Sequence, residues 1–540
     1  MKAGRLSLSL TLALGLTMAL LWLLGSGRLP LARAATIGVN TTGDGVALDG
    51  NCTLREAIVA ANTDTGGDCT AGNGADAITL PAGTYVLTAT GSGEDGGLTG
   101  DLDVTSTVSI VGAGPGQTVI DASGLISDRV FDVRPGAGSV VISGVTIVNG
   151  TVVGDGGGIY TYDASLTLVN AIVSSNVATS TPPSTLPPLY GGGGGVYVRG
   201  GRATFSDTRI VSNTSYYGGG LFLRNGSATL NGGQIAGNTA RYGGGVYINQ
   251  HSVTFTQTGA STIACNSATD TAGGVFVGPG KAVFSGAHIV SNTAGYSGGG
   301  VYVGAGSATL SGVRIAGNVA WGSASSYGGG GLCLGQGSAT LSGGQVISNT
   351  AYQGGGLYNG GGTLTVVNTT VSGNKATEGG GGLWNGDASL GSSNVSTSVL
   401  TYTTIASNTS SSGGGGIHWT SSTVLLQNTL VAYNSPGNCN SGLASNGHNV
   451  EDGTTCGLSA TGDMSNTDPL LGPLSDDNGT LVHPLLEGSP AIEGGVCIAG
   501  VTSDQRGVRR PEGARCDVGA YEWVWQKAFM PLVVRNWSTQ

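Results

Sequence analysis

Ten copies of one phrase run through the middle of the chain: a glycine run, an apolar–aromatic–apolar triplet, then an asparagine. In eight copies the asparagine lies 18 residues after the last glycine, as from Gly220 to Asn238, and in the other two the interval is longer. A repeat unit of this length can bury its apolar face only against the units beside it. The phrase therefore restricts the chain to a solenoid.

Each copy holds three short apolar clusters, for example Val301/Val303, Ala308/Leu310 and Val313/Ile315. Alternation with a period of two predicts three short strands per turn, with glycine and asparagine at the corners. Residues 78–438 are thus expected to form an all-β parallel β-helix of about a dozen rungs. At ~4.8 Å per rung its length is roughly 60 Å.

The repeated asparagines are expected to be structural, because amides stacked on successive rungs can bond to one another and to corner N–H groups. The predicted column consists of Asn176, Asn213, Asn238, Asn266, Asn292, Asn318, Asn349, Asn374, Asn408 and Asn434.

The middle residue of each triplet is expected to point away from the core, since its two neighbours point inward. This outward column could bind sugars or a protein partner, or its rings could merely strengthen neighbouring rungs. The insertions Thr179–Tyr190 and Trp321–Tyr327 should flank it as loops. The candidate ligand-binding rings are Tyr160, Tyr197, Phe222, Tyr247, Phe276, Tyr302, Tyr358 and Trp384.

Residues 1–34 have a basic start, an apolar stretch and an Ala-Arg-Ala site, which is typical of a cleaved secretory signal peptide. An uncleaved membrane anchor is the alternative. Cleavage would remove four cations and change the formal net charge from −10 to −14. We therefore expect a secreted or cell-surface protein that has no membrane span in the mature chain and does not bind nucleic acid.

Six of the eight cysteines form local pairs outside the repeat, which predicts small disulfide-closed loops in an exported protein. The expected pairs are Cys52 with Cys69, Cys439 with Cys456, and Cys497 with Cys516. Cys265 and Cys333 fall at different points of the repeat, so both are expected to be free.

Both ends of the solenoid are expected to be capped. Residues 35–77 contain the capping-box sequence Thr53-Leu54-Arg55-Glu56 and a short amphipathic helix. Residues 439–523, where the repeat dissolves, are predicted to form a disulfide-stapled C-terminal cap, followed by a tail at 524–540.

The phrase Cys52-Thr53-Leu54-Arg55-Glu56-Ala57-Ile58 resembles the CSLREAI motif of bacterial extracellular β-helix proteins. Segments such as Asp468-Pro469-Leu470-Leu471-Gly472 and Cys516-Asp517-Val518-Gly519-Ala520-Tyr521-Glu522 resemble the choice-of-anchor Q C-terminal region. The resemblance implies a right-handed, pectate-lyase-like β-helix at or near the cell surface. It supplies no catalytic residues. The glycine and asparagine repeats also resemble, more weakly, those of polymorphic outer-membrane proteins, which are adhesins.

No catalytic set is evident in the repeats. Their carboxylates are scattered: Asp155, Asp163, Asp207, Asp270, Glu378 and Asp387. Arg209, His288 and Arg314 share one repeat position, as expected of a solvated polar face. No metal-binding motif occurs and no cofactor is expected, although Asp101/Asp103 and Asp476/Asp477 could hold Ca²⁺.

The first functional hypothesis is non-catalytic surface adhesion, through binding of an extracellular polysaccharide or surface protein by the outward column and its flanking loops. The alternative is a lyase or glycoside hydrolase acting on acidic polysaccharide in the outer groove. Two carboxylates and a cation within ~10 Å on the outer face would favour that alternative. A purely structural rod is the third possibility.

Overall fold

The computed structural model describes residues 34–125, 127–180, 190–323, 328–386, 395–420 and 422–524. Nearly all of the predicted signal segment, the C-terminal tail from 525, residues 181–189 of the first insertion and 324–327 of the second lie outside the described residues. Among the described residues, none belongs to a helix with the length and apolar character that a membrane crossing requires.

The predicted all-β parallel β-helix is confirmed. Within the described residues, parallel strands stack into four sheets, here named A to D. Sheet A consists of Thr36–Gly38, Asp76–Leu80, Val108–Gly112, Ser139–Ser143, Ser165–Val169, Arg202–Ser206, Ser227–Asn231, Thr254–Thr258, Lys281–Ser285, Ser307–Ser311, Ser338–Ser342, Thr363–Val367, Thr397–Thr401, Thr423–Gln427 and Ala444–Ser445.

Sheet B follows sheet A on each rung. Its strands are Gly83–Val86, Thr118–Asp121, Thr146–Val148, Ile172–Ser174, Arg209–Val211, Gln234–Ala236, Thr262–Ala264, His288–Val290, Arg314–Ala316, Gln345–Ile347, Thr370–Ser372, Thr404–Ala406, Leu430–Ala432 and Val450–Glu451.

Sheet C carries the apolar–aromatic–apolar triplets. Its strands are Leu102–Val104, Phe131–Val133, Ile159–Tyr162, Val196–Arg199, Leu221–Arg224, Val246–Ile248, Val275–Val277, Val301–Val303, Leu332–Leu334, Leu357–Asn359, Leu383–Asn385 and Ile417–Trp419.

Sheet D is a fourth stack that the three-strand prediction does not include, and its short strands follow the repeated asparagines. They are Thr151–Val153, Val177–Thr179, Thr214–Ser215, Thr239–Tyr242, Ser267–Thr271, Thr293–Ala294, Val319–Ala320, Thr350–Ala351 and Lys375–Ala376.

The core lies inside sheets A, B and C and follows the predicted alternation. Val301 and Val303 of one strand are fully buried and join a single apolar cluster that runs the length of the coil. Burial of each such side chain contributes about 1.5–3 kcal/mol. The middle residue of each triplet is therefore left on the outer face of sheet C.

The N-terminal cap contains the predicted α-helix, Leu54–Thr63, with the Thr53/Glu56 capping box in place. At the other end, the described part of the C-terminal cap includes the antiparallel pair Ser475–Asp477 and Thr480–Val482. One 3₁₀ turn, Ala122–Gly124, lies within the early rungs. The disulfides Cys52–Cys69, Cys439–Cys456 and Cys497–Cys516 are present, and Cys265 and Cys333 are free.

The C-terminal cap does more than cover the end of the coil, because it folds back along the outer face of sheet B. Gln505 accepts a hydrogen bond from the Thr370 hydroxyl, and the His483 ring is hydrogen-bonded to Ser372. The hydroxyl of Tyr402, a residue of the coil, donates to the Val496 carbonyl of the cap. The outer face of sheet B is therefore covered at this end.

Candidate functional site

A polar cleft of about 390 Å³ opens on the outer face near the N-terminal end of sheet C. One wall comes from the first strand of sheet D, and the remaining lining is dominated by charged side chains. The charged residues are Glu94, Asp95, Asp101, Asp128, Arg129, Asp132 and Arg134, and the apolar wall is Val152 and Val153.

Two of the acidic groups are placed by strand periodicity. Asp132 is the middle residue of Phe131–Val133, whose two apolar neighbours are buried in the core, so Asp132 points outward. Asp103 has the same position in Leu102–Val104 and is the register partner of Asp132. Both residues occupy the place that a ring occupies on later rungs.

A residue of the N-terminal helix, Arg55, fixes the backbone around Asp101. Arg55 is fully buried and donates hydrogen bonds to the carbonyls of Gly97, Gly100 and Asp101 at 2.8–3.1 Å. Its guanidinium also pairs with Asp44 at 2.7 Å. The arginine of the CTLREAI sequence therefore positions the floor of the cleft.

Arg129 joins the two nearest carboxyl groups. Its Nη1 donates to Asp101 Oδ2 at 3.1 Å and to Asp132 Oδ2 at 2.9 Å, so these oxygens lie at most about 6 Å apart. Arg134 pairs with Asp132 at 3.1 Å and with the exposed Asp95 at 2.7 Å. Asp132 therefore receives two guanidinium groups, whereas Asp101 receives one.

Burial raises the pKa of two carboxyl groups that line the cleft, Asp101 and Asp132, and of Asp103 beside it. Desolvation, opposed by Arg129, raises the pKa of Asp101 to about 8. Desolvation and the neighbouring Asp132 carboxyl raise the pKa of Asp103 to about 7. The pKa of Asp132 is also raised by desolvation, against the effect of Arg129 and Arg134. The raised pKa favours the protonated form of Asp101 at neutral pH, which is the form that can donate a proton.

Several buried polar atoms of this cluster lack a hydrogen-bond partner among the described residues. They are Oδ1 of Asp103, Oδ1 of Asp132 and Nε of Arg129. An unpaired buried acceptor or donor costs about 1–3 kcal/mol. Such groups at a cleft are characteristic of a site in which polar groups are preorganised for a ligand.

The predicted outward column begins at this cleft. Tyr160 is the register partner of Asp132 on the next strand of sheet C. The Arg129 guanidinium lies over the Tyr160 ring, 5.1 Å from the ring centroid. The rings then continue along sheet C with centroid separations of 4.5–5.2 Å from Tyr160 to Tyr302. The column therefore exists on the outer face.

The column is not open along its whole length: ligand binding stays a prediction for its partly exposed rings, and the alternative that rings strengthen neighbouring rungs fits the buried ones. Tyr197, Phe222, Tyr358 and Trp384 are only 0–5% exposed. Tyr160, Tyr247, Phe276 and Tyr302 are partly exposed. Tyr358 and Trp384 form, together with Cys333, a separate apolar cluster outside the main core, and Tyr302 packs against this cluster.

The glycine runs are the physical reason for this burial, because their backbone passes directly over the rings. A Cβ added at Gly192 would lie 2.1 Å from the Phe222 ring, and one added at Gly298 would lie 2.7 Å from Tyr302 Cβ. Glycine is therefore needed here for close approach as well as for turning the chain.

The predicted asparagine column is a buried ladder. Each asparagine from Asn176 to Asn408 donates its backbone N–H and its amide to the side-chain oxygen of the next. The amide also donates to a carbonyl of the preceding rung, as from Asn292 to Ile263 at 3.0 Å. The polar groups within the column are thus paired with one another.

Other candidate positions that the structure describes lie apart from the cleft or are already paired, and Asp387 lies outside the described residues. Arg209, His288 and Arg314 lie in one row of sheet B and are exposed. Asp477 pairs with Arg506 at 2.6 Å, and Asp101 pairs with Arg129. Within the described ranges, no group of three or more His, Cys, Asp or Glu side chains is arranged to hold a metal ion.

Sequence reasoning missed Arg129, Asp132 and Arg134 because they precede the regular glycine phrase. A signal was nevertheless present. Leu102-Asp103-Val104 and Phe131-Asp132-Val133 have the same apolar–x–apolar form as the later triplets, with aspartate in place of the ring. Extending the column backwards through the chain would have placed Asp132 beside Tyr160 and Asp103 beside Asp132.

One comparison, with models of protein families, supports the fold. A family model described as a right-handed β-helix region matches residues 135–320. No curated protein sequence matches the chain significantly. Among solved structures, the mannuronan C-5 epimerase A-module of Azotobacter vinelandii is 16% identical, with coverage of 74% of this chain and 96% of that chain and a TM-score of 0.40.

A second solved structure, pectate lyase Pel9A, is also 16% identical, with coverage of 91% of this chain and 97% of that chain and a TM-score of 0.29. The family match falls on the early and middle rungs and fixes the sense in which the parallel strands coil. The chain is therefore built around a right-handed parallel β-helix.

Proposed function

We propose that the polar cleft binds and hydrolyses a neutral glycan. The observation that carries this proposal is the shared contact of Asp101 and Asp132 with Arg129, which holds two carboxyl groups at most about 6 Å apart in an open cleft. Carboxyl groups about 5–5.5 Å apart are characteristic of glycosidases that retain configuration.

The two carboxyl groups have different roles in this mechanism. Protonated Asp101 donates its proton to the glycosidic oxygen as the bond to the leaving sugar breaks. Asp132, whose carboxylate form Arg129 and Arg134 favour against the effect of desolvation, bonds to the anomeric carbon. Asp101, now a base, then takes a proton from the water that releases the sugar and regenerates Asp132.

The charge of the cleft favours a neutral substrate over the acidic polysaccharide considered from the sequence. Five acidic residues line it, against Arg129 and Arg134. Both arginines are already paired with these acids, so little positive charge is left to bind uronate groups. A neutral sugar can instead use the unpaired carboxyl oxygens as hydrogen-bond acceptors.

Non-catalytic glycan binding in surface adhesion is the second candidate. It is favoured by the partial exposure of Tyr160, which lies next to the cleft and could stack on a sugar ring. Export to the cell exterior is part of both proposals. It rests on the signal-like residues 1–34, the CTLREAI and choice-of-anchor Q motifs, and three disulfides, which persist in oxidising compartments.

The test is release of reducing ends from a panel of neutral polysaccharides by the purified chain. We expect Asp101→Asn and Asp132→Asn each to lower the rate by about 10²–10⁴-fold, since each removes an acid–base or nucleophilic group. Asp163→Asn is the matched control, because Asp163 is exposed on a corner outside the cleft and already has a positive φ that asparagine tolerates.

Unchanged turnover in both cleft variants would contradict hydrolysis at this site. Binding of glycans without products from the unmodified chain would instead favour the adhesion candidate. Circular dichroism of each variant establishes that a loss of rate does not reflect loss of the fold.

A further inference from the structure

A second group of aromatic side chains lies on the edge between sheet D and the glycine runs, and the outward column does not include it. Tyr190, Tyr216, Tyr217 and Tyr242 contact one another with ring centroids 4.6–6.2 Å apart. Tyr190 is 48% exposed and the other three are partly exposed.

Rings of the outward column hold this group in place. Tyr217 packs against Phe222 at 6.0 Å and against Tyr247 at 5.0 Å, while Tyr242 contacts Phe276 at 6.4 Å. The exposed rings therefore rest on a second apolar layer. Rings fixed in this way lose little conformational freedom when a ligand stacks on them.

Polar groups of both signs lie at the rim of the rings. The Arg241 guanidinium lies 5.4 Å from the Tyr216 ring centroid and 5.2 Å from that of Tyr242, and it donates to the Tyr216 hydroxyl at 2.7 Å. Its Nε also contacts Asp270 at 3.4 Å. Exposed rings edged by a hydrogen-bond donor and a carboxylate acceptor match the apolar face and hydroxyl rim of a pyranose.

The position of this group relates it to the cleft. Val152 and Val153, which line the cleft, belong to the first strand of sheet D. Tyr216 directly follows the third strand of that sheet, and Tyr242 is the last residue of the fourth strand. Neighbouring strands are ~4.8 Å apart, so the tyrosines lie roughly 10–14 Å from the cleft along the coil axis.

We propose that Tyr190, Tyr216, Tyr217 and Tyr242, with Arg241 and Asp270, form a stacking platform that binds a neutral glycan several sugars away from the segment held in the cleft. This inference rests on the proposed function for the identity of the ligand. It adds a second binding site and predicts a preference for long chains over short ones.

The experiment measures calorimetric binding to the full chain carrying Asp132→Asn, which prevents turnover. The probes are di- and hexasaccharides of β-1,4-linked glucose, xylose, mannose and N-acetylglucosamine. We expect Tyr190→Ala combined with Tyr216→Ala to raise the Kd for the bound hexasaccharide by about tenfold or more. The Kd for the disaccharide, which is too short to occupy both sites at once, should be unchanged.

Two controls separate stacking from other effects. Tyr190→Phe keeps the ring and should leave the Kd within about twofold. Tyr296→Ala removes an equally exposed tyrosine that lies at the Tyr216 position of a later repeat, outside the group, and should have no effect. A loss in Tyr296→Ala as large as that in the double variant would overturn the assignment of the platform.

The failure of each proposal has a different signature. A long-chain preference that depends on the tyrosines, in a wild-type chain that releases no products, supports the platform and rejects hydrolysis. Equal binding of hexasaccharide with and without the tyrosines overturns the platform while leaving hydrolysis intact. Absence of hexasaccharide binding to the parent chain, together with capture of a protein ligand on the same face, also overturns it.

Discussion

The two ends of the outward column on sheet C differ in chemistry although they occupy the same position on the rung. Asp103 and Asp132 stand at its start, and Tyr358 and Trp384 stand near its end, all of them almost fully buried. Burial stabilises an aromatic ring and destabilises a carboxylate. The early rungs therefore hold carboxyl groups whose charged form is destabilised by burial, as is common at functional sites.

The asparagine ladder differs from both the buried rings and the buried carboxyl groups, because its polar groups are buried and also hydrogen-bonded to one another. Asn292 accepts from Asn266 and donates to Asn318 and to the Ile263 carbonyl, all at 2.9–3.0 Å. In contrast, Asp132 keeps an oxygen with no hydrogen-bond partner among the described residues. Burial alone does not distinguish structure from function here; the completeness of the hydrogen bonding does.

The largest stability effect is expected for the ladder. Asn292→Ala removes the acceptor of the Asn266 backbone N–H and of one amide N–H of Asn266, and it removes the amide donor to the Ile263 carbonyl. At about 1–3 kcal/mol for each of these three buried groups, the free energy of unfolding should fall by roughly 3–9 kcal/mol. Denaturant unfolding measures this, with exposed Thr309→Ala as the control. A loss below about 1 kcal/mol would show that the ladder is not a stabilising element.

A similar but slightly smaller loss is expected at the aromatic end of the column. Tyr358→Ala empties a fully buried ring site between Cys333 and Trp384 and should cost about 3–5 kcal/mol. Tyr296→Ala, at a half-exposed ring, should change the free energy of unfolding by no more than about 0.5 kcal/mol. Tyr358→Ala should leave glycan turnover by the remaining folded protein unchanged. Equal stability of the two variants would restore the open-face interpretation of the column.

The smallest effect is expected at the acidic end and depends on pH. Burial raises the pKa of Asp101 to about 8 and that of Asp103 to about 7, above the ordinary value of 3.8. The folded state therefore holds more protons than the unfolded state between about pH 4 and pH 8, so stability falls as pH rises through this window. A decrease in Tm of several degrees across this window is therefore expected.

The double variant Asp101→Asn/Asp103→Asn should flatten this dependence, since neither amide titrates. Calorimetric scans at intervals from pH 4 to pH 9 measure the difference. A slope that persists in the double variant would assign the dependence to other groups, such as Asp517 in the C-terminal cap, whose pKa is raised to about 6 chiefly by desolvation.

Much of the fold could be predicted from the sequence because each rung repeats the same local rules. The alternation at Val301 and Val303 indicated which side chains form the core, and glycine and asparagine marked the corners. The capping box at Thr53 and Glu56 predicted the N-terminal helix. Sheet D could not be predicted in this way, because its strands are too short to show a period.

The candidate site was predicted only in part, because it depends on contacts between residues distant in the chain. Asp101 and Asp103 stood out as an acidic pair, but Arg129, which joins Asp101 to Asp132, lies 28 residues after Asp101. The exposure of the rings was predicted wrongly because alternation defines the outward face without defining what covers it. The tyrosine group likewise arises from residues of separate rungs, such as Tyr190 and Tyr216, that stacking brings together.

The sequence by itself determined a solenoid with an inward aliphatic core, glycine corners, an asparagine column and one outward side chain per rung, because each property follows from local spacing. Only the tertiary structure decided which outward positions solvent can reach. The glycine runs cover Phe222 and its neighbours, whereas the loop carrying Glu94 and Asp95 leaves a cleft in which the side chains of Arg129 and Arg134 remain partly exposed. The physical reason is that accessibility depends on how separate segments pack over a face, and the periodicity of one strand contains no information about that packing.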